Sequence, residues 1–275
     1  MLANNDDLKV KLIDFGMAFQ DSEVCPGIVV QPVPYRAPEV LLGLPFSYAI
    51  DMWGMGCVLM YLYLKEHLFT VCSEFKMISQ VVKLLGQPED HLLAKGLYTR
   101  KYFVEVNRPY GPAWRLKTPE EYNLDAPEKI VGNTEEPLLH SLDDLVNIHK
   151  FTSSAEYEDQ LQFLDLIKSL LNVNAAKRIS ASEALNHPFI TMSHLLNPEF
   201  KYYLKNSTQI MSCCKKLDST VDGHSDAGSE EQQKADNMER QPYESLKCQQ
   251  SGGGKHHTRS QEWEHLEGAQ HQQPD

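Results

Sequence analysis

LKVKLIDFGMAFQDSEVCPGIVVQPVPYRAPE, residues Leu8 to Glu39, is the stretch on which the reading of the whole chain turns. Leu8, Val10 and Leu12 alternate with Lys9, Lys11 and Ile13, the period-two pattern of a half-buried strand. Before it, the apolar Met1-Leu2-Ala3 and the turn formers Asn4-Asn5-Asp6-Asp7 complete the pattern of a hairpin. Asp14 then emerges at the end of the second strand, where its carboxylate can reach a ligand, and Gly16 lets the backbone swing into a loop. From Gln20 to Pro34 the residues Pro26, Gly27, Pro32 and Pro34 exclude a regular helix or a central strand. Pro38 opens a short helix that Gly43 ends.

Further along, Ser47 is the expected N-cap of a helix reaching Leu64. That helix carries Asp51-Met52-Trp53-Gly54-Met55-Gly56 and is apolar on nearly every face, as a core helix is. Ser73 to Leu85 places Phe75, Ile78, Val81, Val82 and Leu85 on a helical period, with Gly86 as terminator, and Pro88 opens another short helix. Leu97 to Lys150 reads as an irregular insertion on the domain surface, broken by Pro109, Pro112, Pro119, Pro127 and Pro137, with one capped turn at Thr118-Pro119-Glu120-Glu121. Ala155 to Leu171 is an amphipathic helix with Glu156, Glu158 and Asp159 early and Lys168 late, the order that complements the helix dipole. Ser180-Ala181-Ser182-Glu183 is a capping box opening the last helix, which Pro188 stops or bends. From about Asn206 the chain is polar and rich in Gln, Ser, Glu and Gly, and reads as a disordered tail, 206–275.

Composition narrows the function. A net charge of −12 and a pI near 5.4, with no cluster of Lys and Arg, exclude a direct nucleic-acid interface. Six cysteines without metal-ligand spacing, and no signal peptide, fit a reducing intracellular compartment. Met52 to Leu64, the most apolar stretch, is too short for a bilayer and implies no membrane anchor. His256, His257 and His271 lie in polar sequence with no Cys or carboxylate partner, and read as solvated tail residues rather than a metal site.

Four motifs in order, Asp14-Phe15-Gly16, Tyr35-Arg36-Ala37-Pro38-Glu39, Asp51 to Gly56, and Lys177-Arg178-Ile179-Ser180 with His187-Pro188-Phe189, resemble the activation segment and following helices of a protein kinase. Gly43-Leu44-Pro45-Phe46, Ala49-Ile50-Asp51-Met52-Trp53, Trp114 to Glu121 and Thr191 to Leu196 are similar to the homeodomain-interacting protein kinases, in the dual-specificity-related branch. The resemblance covers roughly residues 1 to 200. It implies a mainly helical, kinase-like C-terminal lobe over 1–205 that opens on a short β-hairpin, with the N-lobe and catalytic loop absent from these residues.

By the same resemblance ATP and magnesium are the cofactors, and Asp14 is a magnesium ligand once a complete site surrounds it. The catalytic base belongs upstream of Met1, and an isolated carboxylate does not assemble a phosphoryl-transfer site, so this chain alone is expected to be inactive. The tyrosine that family members phosphorylate in the activation loop corresponds to Val29 here, an arginine that would neutralise its phosphate corresponds to Val33, and Arg36 remains without a phosphotyrosine to bind. Glu39 and Arg178 match a buried ion pair that ties the activation segment to the lobe, and Trp53 lies in the conserved-type motif of the central helix. Asp51 matches an aspartate that otherwise receives hydrogen bonds from the catalytic loop, and is expected to be solvated or paired elsewhere. The implied partners are protein substrates or scaffolding proteins, transcription regulators among them, and the implied compartment is the nucleus. Three readings stay open: part of a serine/threonine kinase, a pseudokinase-like protein-binding module, and a fragment without independent function. Without the helix that precedes the catalytic loop in such kinases, part of the apolar helix from Ser47 to Leu64 is expected to lie exposed.

Overall fold

Two long helices, one apolar and one amphipathic, brought together by a glycine, form the centre of the fold. In the computed structural model the described residues are 10–16, 18, 27–71, 73–108, 111–126, 129 and 138–212. All of them fall in one of the two units into which the chain divides, Met1–Ser219. The first three helices are α1 (Pro38–Leu42), α2 (Ala49–Leu64) and α3 (Glu74–Leu85). The short α4 (Asp90–Leu93) and α5 (Thr99–Tyr102) lead into the strands β1 (Phe103–Arg108) and β2 (Gly111–Leu116). Then come α6 (Pro119–Asp125), α7 (Leu145–Ile148), α8 (Ser154–Leu170), α9 (Ala181–Leu185), α10 (Pro188–Thr191) and α11 (Lys201–Ile210). No helix of the described residues is long and apolar enough to cross a membrane.

Trp53, Cys57 and Met60 of α2 are buried in the same core as Leu164, Ile167 and Leu170 of α8. A Cβ added at Gly56 would stand 2.8 Å from Leu171 Cδ2, so the absence of a side chain there sets how closely the two helices approach. One face of α2 is nevertheless open, with Met55, Val58 and Leu62 at 47%, 43% and 61% exposure. The sequence gives α2 no polar stripe and leads to the expectation that part of it lies exposed, and these three residues belong to the exposed part.

Helix boundaries follow local chemistry. Ser73 caps α3 by accepting the Lys76 N–H, and Gly86 ends it at φ 91°. Thr118 and Ser180 each form a reciprocal capping box with the glutamate three residues on, Glu121 and Glu183. Gly43 ends α1 at φ 67°, and a Cβ there would press to 2.8 Å from the Tyr98 ring.

Several expectations need correction. Ser47 is not the N-cap of α2; Tyr48 takes that position, and Ser47 Oγ accepts the Ala49 N–H at 3.4 Å. Pro188 neither stops nor bends the capping-box helix, which ends at Leu185; the proline occupies the first turn of α10, where its missing N–H costs nothing. The tail boundary near 206 falls inside α11, and the tail from residue 213 lies outside the described residues.

The expected N-terminal hairpin lies largely outside them too: residues 1–9 are not described, Val10 makes a single bridge, and 11–13 are not strand. The hairpin that the described residues contain is instead β1–β2, antiparallel from Phe103↔Leu116 to Arg108↔Gly111. It sits within the stretch read as an irregular surface insertion. A two-stranded ribbon consists of edges, so Pro112 is tolerated in β2, and Pro119 takes the first turn of α6. Tyr102, Phe103, Trp114, Tyr122, Leu142 and Leu145 are all buried, so this segment supplies core rather than lying on it.

Candidate functional site

The chain from Val29 to Glu39 is held by side chains that reach back onto its own backbone. Val29 is 50% exposed while Val30 is buried. Gln31 adopts φ 65°, a left-handed conformation that costs a non-glycine residue energy. Its amide offsets that cost by accepting the Ala37 N–H and donating to the Ile50 carbonyl, both at 3.0 Å. Pro32 and Pro34 leave two backbone positions without donors, and the turn Val33–Tyr35 closes where the Tyr35 N–H donates to Pro32 O at 2.9 Å.

Arg36 grips this turn from inside. Its Nε donates to the carbonyls of Val30 and Gln31 at 3.0 and 3.1 Å, Nη2 donates to Gln31 O at 2.9 Å, and Nη1 meets Glu74 Oε1 at 2.5 Å. Burial pulls the Arg36 guanidinium down from its ordinary value, and the Glu74 charge opposes that pull. Glu74, the first residue of α3, also receives Lys101 Nζ at 2.6 Å and the Tyr102 hydroxyl at 2.7 Å on Oε2. Burial pushes the Glu74 carboxyl up, but the hydrogen bonds from Lys101 and Tyr102 and the charges of Lys101 and Arg36 outweigh it and hold the group below the ordinary glutamate value. One carboxylate thus joins the 30–36 turn, α3 and α5. Arg36, left without a phosphotyrosine partner by the sequence, has an internal carboxylate instead.

The other end of the segment is anchored more deeply. Arg178 Nη1 and Nη2 meet Glu39 Oε1 and Oε2 at 2.6 and 2.9 Å, with side-chain exposures of 0% and 3%. Arg178 also donates from Nη1 to Ala49 O at 2.8 Å, and from Nε and Nη2 to Asn172 O at 3.1 and 3.0 Å. Its guanidinium lies 5.3 Å from the centre of the Trp53 ring, which in turn stacks on Phe69. Ala37, Pro38 and Glu39 are buried, whereas Asp51, two residues after Ala49 on α2, is exposed. The Tyr35 hydroxyl lies 3.2 Å from His67 Nδ1, and burial raises this phenol above its ordinary value.

Asp14, Phe15 and Gly16 are not brought into this cluster. Asp14 sits at φ 59°, with its Oδ1 accepting the Gly16 N–H at 3.3 Å, and Phe15 is 68% exposed. Gln31, Glu74, Lys101 and Tyr102 escaped the sequence reading. An arginine two and four residues after the prolines of a stiffened loop was the available signal for a partner, but nothing in the chain distinguishes Glu74 from the many other acidic residues.

A carboxylate-anchored segment tied by a buried arginine into a helical core is the arrangement of a protein kinase domain, and the model of that family, the protein kinase domain, matches residues 1–190; the chain belongs to this family. Within it the likeness is to the homeodomain-interacting protein kinases. Homeodomain-interacting protein kinase 2 of Mus musculus is 37% identical over 215 residues, covering 76% of this chain and 18% of its own length. Homeodomain-interacting protein kinase 1 of Mus musculus is 38% identical over 214 residues, with the same two shares, 76% and 18%. The serine/threonine-protein kinase ppk15 of Schizosaccharomyces pombe is 35% identical over 198 residues, 66% of this chain and 35% of its own. The chain therefore spans less than a fifth of the mouse relatives it matches.

Kinases of this family use ATP and magnesium. The described residues do not fit a complete site for them. The Asp14 carboxylate is turned back on its own loop, and no group of three His, Cys, Asp or Glu among the described residues is placed to hold a metal ion.

Proposed function

We propose that residues 1–205 form the substrate-facing C-terminal lobe of a serine/threonine protein kinase, and that the 275 residues by themselves hold no saturable ATP–magnesium site. The observation that carries this reading is the contrast along one stretch. Arg36 and Glu39 are locked into the helical core through Glu74 and Arg178, while Asp14, the one phosphoryl-transfer residue of the sequence, is exposed. Positioning and charge stabilisation by several groups at once are what such chemistry needs, and one solvated carboxylate supplies neither. The open apolar face of α2 supports the same reading, because Met55, Val58 and Leu62 are the surface that a further lobe or partner would cover.

Protein substrates or scaffolding partners, transcription regulators among them, and a nuclear compartment are what the family likeness supports; ATP and magnesium belong to the assembled kinase. Val29 stands at the activation-loop phosphosite position, and its exposed, hydroxyl-free side chain supports a segment ordered by Glu74 rather than by phosphorylation. Isothermal titration of the chain with ATP and magnesium tests the reading. No saturable heat is expected, and a stoichiometric binding isotherm would overturn it.

A further inference from the structure

The open stripe of α2 has a two-fold pattern of its own. At about 100° per residue, Asp51, Gly54, Met55, Tyr61, Leu62 and Lys65 all fall within about 60° of Val58 around the helix axis. Trp53 and Met60 lie on the opposite face, in the core shared with α8. Met55, Val58, Tyr61 and Leu62 are each between 41% and 61% exposed, and the Tyr61 ring is steadied by that of His67, 4.9 Å away. One charge bounds this apolar stripe at each end, Asp51 in the first turn and Lys65 at the C-cap, both exposed. Neither side chain has an ion-pair or hydrogen-bond partner among the described residues.

Val58 stands midway between the two charges, so the stripe is its own complement when a second α2 crosses it antiparallel. Turning the helix end for end about Val58 sets Asp51 against Lys65, Gly54 against Leu62 and Met55 against Tyr61. Opposite charges then meet at both ends, and each leucine faces the space that a glycine leaves. That space is open: beyond its chain neighbours and the helix backbone, a Cβ at Gly54 would meet one atom, Gln31 Nε2 at 3.6 Å. A parallel pairing would instead stack Asp51 on Asp51 and Lys65 on Lys65, and like charges facing each other are destabilising.

We infer that the partner of this face is a second copy of the chain, its α2 packed antiparallel on the first, with the two-fold axis at Val58 and an Asp51–Lys65 ion pair at either end. An isologous contact requires each residue of a patch to meet its counterpart on the same patch, and the stripe meets that condition in charge, in size and in apolar character. Four partly exposed apolar side chains per copy place the contact at the small end of interface sizes, below about 1,200 Å², so the dimer dissociates in the micromolar range. The dimer names what covers the open face of α2 and holds whether or not the chain binds ATP.

Sedimentation velocity of the full chain across the micromolar range tests the dimer, and a reversible monomer–dimer equilibrium is expected. Val58→Glu sets two carboxylates on the two-fold axis and Gly54→Gln fills the leucine's space; each is expected to weaken association about tenfold or more. Gly54 has room for a side chain in the monomer, so its variant keeps the test valid if Val58→Glu melts early. Asp51→Lys and Lys65→Glu are each expected to weaken association about tenfold at low salt, and the two together to restore it to within about threefold, because the pairs re-form with their signs exchanged. A monomer at every concentration overturns the inference, as does a dimer that Val58→Glu and Gly54→Gln leave unchanged. A double charge swap no better than the single ones overturns the antiparallel register, and open-ended association overturns the closed pair. Sedimentation reads association alone, so its outcome is separate from that of the ATP titration.

Discussion

Replacing Arg178 with alanine removes more than one ion pair. All five guanidinium N–H groups of Arg178 are engaged, two by Glu39, two by Asn172 O and one by Ala49 O. The side chain therefore ties α1, the first residue of α2 and the chain after α8 to a single point. Arg178→Ala leaves the Glu39 carboxylate 3% exposed in the core without its cation. Breaking a buried pair in this way costs about 3–5 kcal/mol, against a typical domain stability of about 5–15 kcal/mol. With a urea dependence of about 2 kcal/mol per molar, the midpoint should fall by roughly 2 M. Urea unfolding followed by far-ultraviolet circular dichroism measures this directly. Arg178→Lys keeps the charge but has three donors in place of five, and should fall between wild type and alanine. The double variant Glu39→Leu with Arg178→Met removes both charges at similar volume and should be more stable than Arg178→Ala, because most of the loss in the single variant is an unpaired buried charge. A wild-type midpoint for Arg178→Ala would refute the reasoning, and a double variant as unstable as the single one would assign the loss to packing.

Glu74 gives a pH-dependent counterpart. Its folded carboxyl lies below the ordinary glutamate value, so the stability it contributes is complete above the unfolded value and is lost as pH falls through the folded one. Glu74→Gln should be less stable than wild type at neutral pH, with the gap closing as the solution is acidified; a gap that stays constant through the acid range would count against the network. Gly56→Ala tests the contact between α2 and α8. Overpacking against Leu170 and Leu171 should cost about 1–3 kcal/mol, exceeding the gain of about 1 kcal/mol in helix propensity, and a raised melting temperature would contradict it.

Much of the chain could be read without coordinates because the signals are local. Caps such as Ser73, Thr118 and Ser180 act on backbone groups three residues away, and Gly43 and Gly86 end helices through their own φ. The motifs at 14–16, 35–39, 51–56 and 177–180 likewise identified the family, since each is contiguous. The insertion was less legible. Its prolines marked breaks, but whether two short runs pair as β1 and β2, and whether Tyr102 and Trp114 face inward, depends on what packs against them.

The sequence by itself determined both ends of α1 and α3, the capped starts of α6 and α9, the kinase family and the identity of Glu39 and Arg178 as residues worth pairing. Only the tertiary structure decided that Arg36 closes on Glu74, that Gln31 bridges the turn to α2, and which residues of α2, Met55, Val58 and Leu62 among them, face solvent. The physical reason is distance along the chain. Periodicity, caps and turns act within a few residues, whereas a carboxylate 38 positions from its arginine becomes a partner only when packing brings the two side chains within hydrogen-bonding reach.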